Sequence, residues 1–270
     1  MGNIVGAFAM SHVLGAPDGQ EEQALKVWEG MQEIGRQVRA LEPDLLVYIT
    51  SDHLNNFRLS APQPIAIGTA AAFTPYGDMG LPLEEFPGHP GFARGFLNFV
   101  QERGSNLEAV DPLRPDHGVV IPLDIVDPQH RIPTVPLYIN MVYDPAPSPA
   151  EAWALGRMLG DYIREARPQA ERVVIMAGGG LSHWIGVPEE GRVNAAWDEA
   201  FLRILEEGRN AELEALDNAS IRQDAGNGGL EVSSWVALAG AIPSSPARRV
   251  FYEPMPGWAT GMGGIAFHIA

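Results

Sequence analysis

Residues 44–53, Asp44-Leu45-Leu46-Val47-Tyr48-Ile49-Thr50-Ser51-Asp52-His53, run from a polar start through an apolar stretch into a polar turn that ends on histidine. A short apolar run without polar alternation describes a strand buried on both faces, as in a sheet covered by helices on either side. The residues before it complete the unit. Asn3–Met10 reads as another short buried strand, and Asp18 with Glu21 reads as a helix-capping box. Leu25, Trp28, Met31, Ile34, Val38 and Leu41 then recur at helical spacing until Pro43. Strand, helix and strand in this order make a βαβ unit. The predicted fold is α/β, with a central mostly parallel or mixed sheet flanked by helices on both faces, in a single domain over residues 1–270.

Downstream segments continue the pattern. Ser148-Pro149 with Glu151 is a helix start, with an N-cap, a proline in the first turn and an acid at the third position; that helix should stop near Pro168. Val173–Met176 is an apolar strand that delivers Gly178-Gly179-Gly180-Leu181-Ser182-His183. Strands are also expected over Pro64–Gly68, Ile132–Met141, Arg249–Glu253 and Gly264–Ile269, and helices around Phe92–Phe99, Asn194–Glu207 and Glu231–Ala241. The Pro- and Gly-rich stretch 60–90 is expected to be mostly irregular, a common source of site walls and lids.

Composition narrows the function. The chain has 18 Lys and Arg against 34 Asp and Glu, a formal charge of −16, which argues against nucleic acid or an anionic membrane surface as partner. Cysteine is absent, which removes disulfides, thiolate metal sites and cysteine nucleophiles. Any metal must be held by His, Asp or Glu. No apolar run is long enough to span a bilayer and the N-terminus lacks the pattern of a signal peptide, so the cytoplasm is the expected location.

Five of the seven histidines, His12, His53, His89, His117 and His183, sit in short polar turns beside apolar runs. Ligands of open α/β sheets bind beyond the carboxyl ends of the strands, so histidines placed there point to chemistry. His12 and His53 follow strands expected to be neighbours and would reach one ion together. Two imidazoles need a third ligand, and a carboxylate completes a facial triad with open positions. Asp52, Asp116 and Glu231 are the candidates. Asp52 should point away from His53 and act as an orienting group, whereas Glu231 opens a helix after the flexible Gly226-Asn227-Gly228-Gly229. His117 and His183 would then be free to move protons. His89 reads as a turn residue, and His130 and His268 as bystanders. Residue chemistry alone admits iron(II) oxygen chemistry, zinc hydrolysis or a manganese site, because His₂Glu serves them all.

Five ordered motifs carry a resemblance: Ser11-His12; Ser51-Asp52-His53 with Phe57; Asp116-His117-Gly118 with Pro122-Leu123; Gly179-Gly180-Leu181-Ser182-His183; and Gly229-Leu230-Glu231 with Trp235. Together they resemble the extradiol ring-cleaving dioxygenases of the protocatechuate 4,5-dioxygenase β-subunit superfamily. The tail Phe251–Pro256 with Trp258 and Gly261, and Trp197-Asp198 with Phe201, resemble the branch acting on 2,3-dihydroxyphenylpropionate. The resemblance implies Fe(II) held by His12, His53 and Glu231, His183 as the base toward the diol, His117 as the later acid, and Asp116 as partner of that acid. It implies an aromatic diol and O₂ as reactants and a homo-oligomeric assembly. An ortho-aminophenol or gallate-type substrate, or a metal-free binding member of the superfamily, are the alternatives. Asn55, Asn56, Trp184 and Trp258 are the expected substrate-binding residues. Trp258 replaces a small polar residue of the protocatechuate branch, which weighs against a carboxylate directly on the ring.

Overall fold

The computed structural model describes residues 2–17 and 19–269. In chain order the strands are β1 (Asn3–Met10), β2 (Leu45–Thr50), β3 (Ile65–Gly68), β4 (Ala72–Phe73), β5 (Phe86–Pro87), β6 (Glu108–Val110), β7 (Thr134–Ile139), β8 (Arg172–Gly178), β9 (Ala247–Met255) and β10 (Thr260–Phe267). The α-helices are α1 (Glu21–Ala40), α2 (Pro90–Gln101), α3 (His117–Val126), α4 (Pro149–Ala166), α5 (Ala195–Glu206), α6 (Asn218–Ala225) and α7 (Ser233–Ala241). Eight strands form one mixed sheet in the order β6-β3-β7-β2-β8-β1-β10-β9, and β4 pairs with β5 apart from it. The four central strands β7, β2, β8 and β1 are parallel, while β3 runs antiparallel to β7 and β10 antiparallel to β1.

Alternation along the central strands explains why both faces are covered. Ala7, Ala9, Leu45, Val47, Ile49, Val173 and Ile175 pack on one face with α2, α4 and α7; Phe8, Met10, Leu46, Tyr48, Val174 and Met176 pack on the other with α1 and α3. The first βαβ unit forms as expected, but its two strands are not neighbours. β8 lies between β1 and β2. Helix α4 begins on a full capping box between Ser148 and Glu151. The box expected at Asp18 falls outside the described residues. Gln20 precedes α1 and makes no side-chain cap. Two helices escape periodicity. Helix α3 is apolar almost all round and contains Pro122, and α6 is a short polar helix capped by Asp217.

This topology places the site. The parallel strands β1, β2 and β8 end together, and β10, being antiparallel to β1, begins at that same edge. His183 and Thr260 form an isolated bridge there.

Candidate metal and acid–base site

His12 follows β1, His53 follows β2, and the turn after β8 leads to His183. His117 is the first residue of α3, and Glu231, expected to open a helix, lies instead in the 3-10 segment Gly228–Val232 that runs into α7 at Ser233. The structure brings all five together. His53 Nε2 lies 3.1 Å from Glu231 Oε1, and the Nε2 atoms of His12 and His183 each lie 3.8 Å from Oε2. The rings of His53 and His117 stand 4.1 Å apart between centroids. His12, Glu231 and His183 are only 3, 6 and 7% exposed.

The backbone around Glu231 is built for a buried carboxylate. Gly180 N–H donates to Oε2 at 2.9 Å. Gly179 has φ +112, and a Cβ there would lie 2.8 Å from the Glu231 Cβ, so glycine is required by both conformation and space. The buried Trp235 indole donates to Gly179 O at 3.1 Å and holds this turn from behind. His183 is fixed as firmly. Its Nδ1 donates to Leu181 O at 2.8 Å, which leaves Nε2 unprotonated and directed at the site in the neutral ring. The preceding Ser182 is bound by the buried Asp198 at its N–H (2.8 Å) and hydroxyl (2.9 Å), and Tyr252 donates to the same carboxylate.

Charge is distributed unevenly. Burial opposes ionisation of Glu231, but the imidazoles of His12, His53 and His183 hold its pKa well below the ordinary carboxylate range. Burial drives His12 down to about 3; Glu231 pulls the other way without offsetting it. Burial also disfavours a charged His53, yet hydrogen bonds to Asp116 and Glu231 raise its pKa well above the usual value. Asp116, despite its own burial, is held at about 2, chiefly by His53.

The residues suit a divalent cation. His12 is a buried ring whose side chain makes no hydrogen bond within the described residues, and its Nδ1 is wholly unpartnered. Such burial is costly unless the ring meets a ligand. Adjacent ligands at bonds of about 2.1 Å stand about 3 Å apart; the His53–Glu231 separation of 3.1 Å matches this, and those of His12 and His183, at 3.8 Å, are wider. Nitrogens of His12, His53 and His117 lie within 4.8 Å of one another, a set of three imidazoles that does not include Glu231.

Several expectations are corrected. Asp116 does not pair with its neighbour His117. It caps α3 at Gly118 N and accepts from His53 at both N (2.9 Å) and Nδ1 (3.0 Å). The carboxylate on His117 is Asp78, 2.5 Å from Nδ1, a residue sequence reasoning passed over because it lies in the Pro- and Gly-rich stretch. Asp52 gathers the following loop, accepting from the backbone of Asn55, Asn56 and Phe57. His89 is more than a turn residue; it caps α2 by accepting from Phe92 N at 3.0 Å. Of the four expected substrate contacts, Trp258 lines the cleft, with its indole tied to Ala16 O. Asn55 bridges Asp78 and Asp116, Asn56 binds Asp52 and the Arg114 backbone, and Trp184 is buried under Arg192. The structure does not bring Asn55, Asn56 or Trp184 to the cleft wall.

The family model of the catalytic LigB subunit of aromatic ring-opening dioxygenase matches residues 6–263. Among curated relatives, a 2,3-dihydroxyphenylpropionate/2,3-dihydroxicinnamic acid 1,2-dioxygenase of Klebsiella pneumoniae (strain 342) is 28% identical, over 86% of this chain and 87% of that protein. The same-named enzyme of Escherichia coli (strain 55989 / EAEC) is 26% identical over 85% and 87%. The crystal structure of an uncharacterized Escherichia coli K12 protein superimposes with a TM-score of 0.61 at 16% identity, covering 98% of this chain and 100% of that one. That likeness concerns the fold.

Proposed function

This chain belongs to the family of the catalytic LigB subunit of aromatic ring-opening dioxygenase, and on that premise we propose that it uses Fe(II) to cleave a catechol beside its diol. In this reading residues 1–270 form one catalytic domain, His12, His53 and Glu231 hold the iron, and His183 and His117 carry protons. The observation that supports it best is the buried Glu231 carboxylate with three imidazole Nε2 atoms at 3.1–3.8 Å, beside a cleft of about 100 Å³ that His117 and Trp258 also line. When bound, iron supplies Lewis acidity toward the diol and open positions for both reactants. The rest is the work of the chain. His183 Nε2, left free by the Leu181 carbonyl, accepts a proton from an incoming hydroxyl. His117 supplies one later. Asp116 orients His53 through Nδ1 and so turns Nε2 toward Glu231.

An adjoining cavity of about 500 Å³ shares His53, Ile185 and Glu231 with the cleft and is walled by Leu54, Met141 and Leu230. At the same cavity Arg222 stands 3.7 Å from Asp144. This space supports a catechol with a ring substituent, as the names of the relatives suggest for those proteins. No helix among the described residues is long and apolar enough to cross a membrane. A cytoplasmic, homo-oligomeric enzyme belongs to the same proposal; the absence of cysteine and the family likeness support it.

The test is oxygen uptake. Protein purified anaerobically and loaded with Fe(II) is given catechol, side-chain-substituted catechols and ortho-aminophenols. Uptake with a diol, with a yellow, pH-sensitive product, is expected. Uptake with the aminophenols alone would replace the diol by that class, and none at one iron per chain would overturn the reading.

His53 gives a pH prediction. Its raised pKa means that the metal-free protein holds a proton between Asp116 and Glu231. That pairing stabilises the metal-free fold fully below the unfolded pKa of about 6.5 and is lost as pH rises through the folded value. A cation must displace the proton. Calorimetry in two buffers of different ionisation enthalpy should show about one proton released per metal at neutral pH, and affinity rising with pH. Uptake without proton release would place the cation away from His53.

A further inference from the structure

Asp78 has no part in the reading above, yet it is built against a proton carrier. It begins the 3-10 turn Asp78–Gly80, in the segment between β4 and β5. Oδ2 lies 2.5 Å from His117 Nδ1, and Oδ1 accepts the His117 backbone N–H at 3.1 Å. The carboxylate is therefore held to one residue by two contacts. Asn55 Nδ2 adds a third tie, lying 3.4 Å from Asp78 Oδ2 and 3.2 Å from Asp116 Oδ2. A chain of contacts runs from His117 through Asp78, Asn55 and Asp116 to His53.

The backbone that presents Asp78 is unusual. Gly77, Met79 and Gly80 have φ of +83, +53 and +74, and Met79 is 62% exposed. A left-handed residue other than glycine is disfavoured and persists where surrounding contacts over-determine it. Here those contacts run through Asp78 to the edge of the site.

We propose that Asp78 is a positioning residue for ring opening: it accepts the Nδ1–H of His117 and leaves Nε2 as the nitrogen that faces the cleft, where it takes up the proton that His117 later gives back. A neutral imidazole has one donor and one acceptor nitrogen, and the partner of one decides the role of the other. An ionised carboxylate only accepts, so it selects the Nδ1–H form. The bond to the backbone N–H keeps the carboxylate from swinging away. This inference rests on the proposed proton-carrying role of His117. A competing use of the same atoms is a second cation, because donor atoms of Asp78, Asp116 and His117 lie within 4.8 Å of one another. The Asn55 amide, which already donates to both carboxylates, favours the hydrogen-bonded arrangement.

The experiment has two arms. In metal-free, ¹⁵N-labelled protein, the ring nitrogens of His117 (assigned by the signals lost in His117→Gln) should report Nδ1–H in the wild type. They should report a mixture, or Nε2–H, in Asp78→Asn. In the iron-loaded enzyme, Asp78→Asn should lower kcat about 10- to 100-fold, within the range general acid–base groups contribute, with KM, iron content and melting temperature nearly unchanged. Asp78→Glu should recover part of kcat. An unchanged tautomer in Asp78→Asn, or wild-type kcat, would overturn the proposal. So would loss of a second equivalent of metal in Asp78→Asn. If the wild type opens no ring, the functional reading fails, while the tautomer arm still decides what Asp78 does to His117.

Discussion

Glu231→Ala should fold but fail to hold iron, and ring opening should fall by on the order of 10³-fold or more, about 4 kcal/mol of transition-state stabilisation. Among the described residues this carboxylate is the one anion beside His12, His53 and His183 together, and Gly180 N–H fixes its orientation. Without it, the ion keeps two imidazoles and loses the charge that offsets its own. Glu231→Gln is the control for shape, since it retains volume and the Gly180 contact but not the charge. Metal analysis of dialysed protein and oxygen uptake measure both effects. Near-stoichiometric iron in Glu231→Ala, with activity within tenfold of wild type, would show that His12, His53 and His117 form the ligand set instead.

His183→Gln should give the opposite pattern, with iron retained and turnover reduced about 10²- to 10⁴-fold, the span typical of general acid–base groups. His183 presents Nε2 because Leu181 O occupies Nδ1, and its backbone is locked by Ala225 O and Gly228 N on one side and by the Asp198-bound Ser182 on the other. A base so fixed contributes through geometry as well as basicity. Glutamine can still hydrogen-bond a hydroxyl but cannot take its proton. KM should move little, and substrates with more acidic hydroxyls should suffer less. If His183→Gln instead loses iron, His183 is a ligand and the division of roles among the histidines is wrong.

Much of this arrangement is written locally. The unbroken run 45–49, the Ser148–Glu151 box and the helical stretch Asn194–Glu207 each form the element their residues prescribe. The histidines beyond the carboxyl ends of β1, β2 and β8 reach the site because those parallel strands end at one edge. Relations between distant segments are not written locally. Nothing in β1 or β2 tells that β8 will lie between them, since insertion of a strand depends on the whole sheet. Helix α3 shows no amphipathic stripe, because it is buried on nearly every side, so periodicity has nothing to report. The pairing of Asp116 with His117 comes from the resemblance, and side-chain direction overrules it. Neighbours in a helix point about 100° apart, and the cap turns the carboxylate back toward His53. Asp78 comes from a stretch whose composition says only turn.

Gly228 lies so close to the His183 imidazole that a Cβ there would collide with the ring, whereas Ile185, across the mouth, is 52% exposed. Variation is therefore confined to one side of the catalytic chamber. Libraries aimed at new substrates should find freedom at the outer wall, and almost none at the floor, where any added carbon must dislodge the His183 ring. Descendants of this enzyme can change what they accept far more readily than how they begin the reaction.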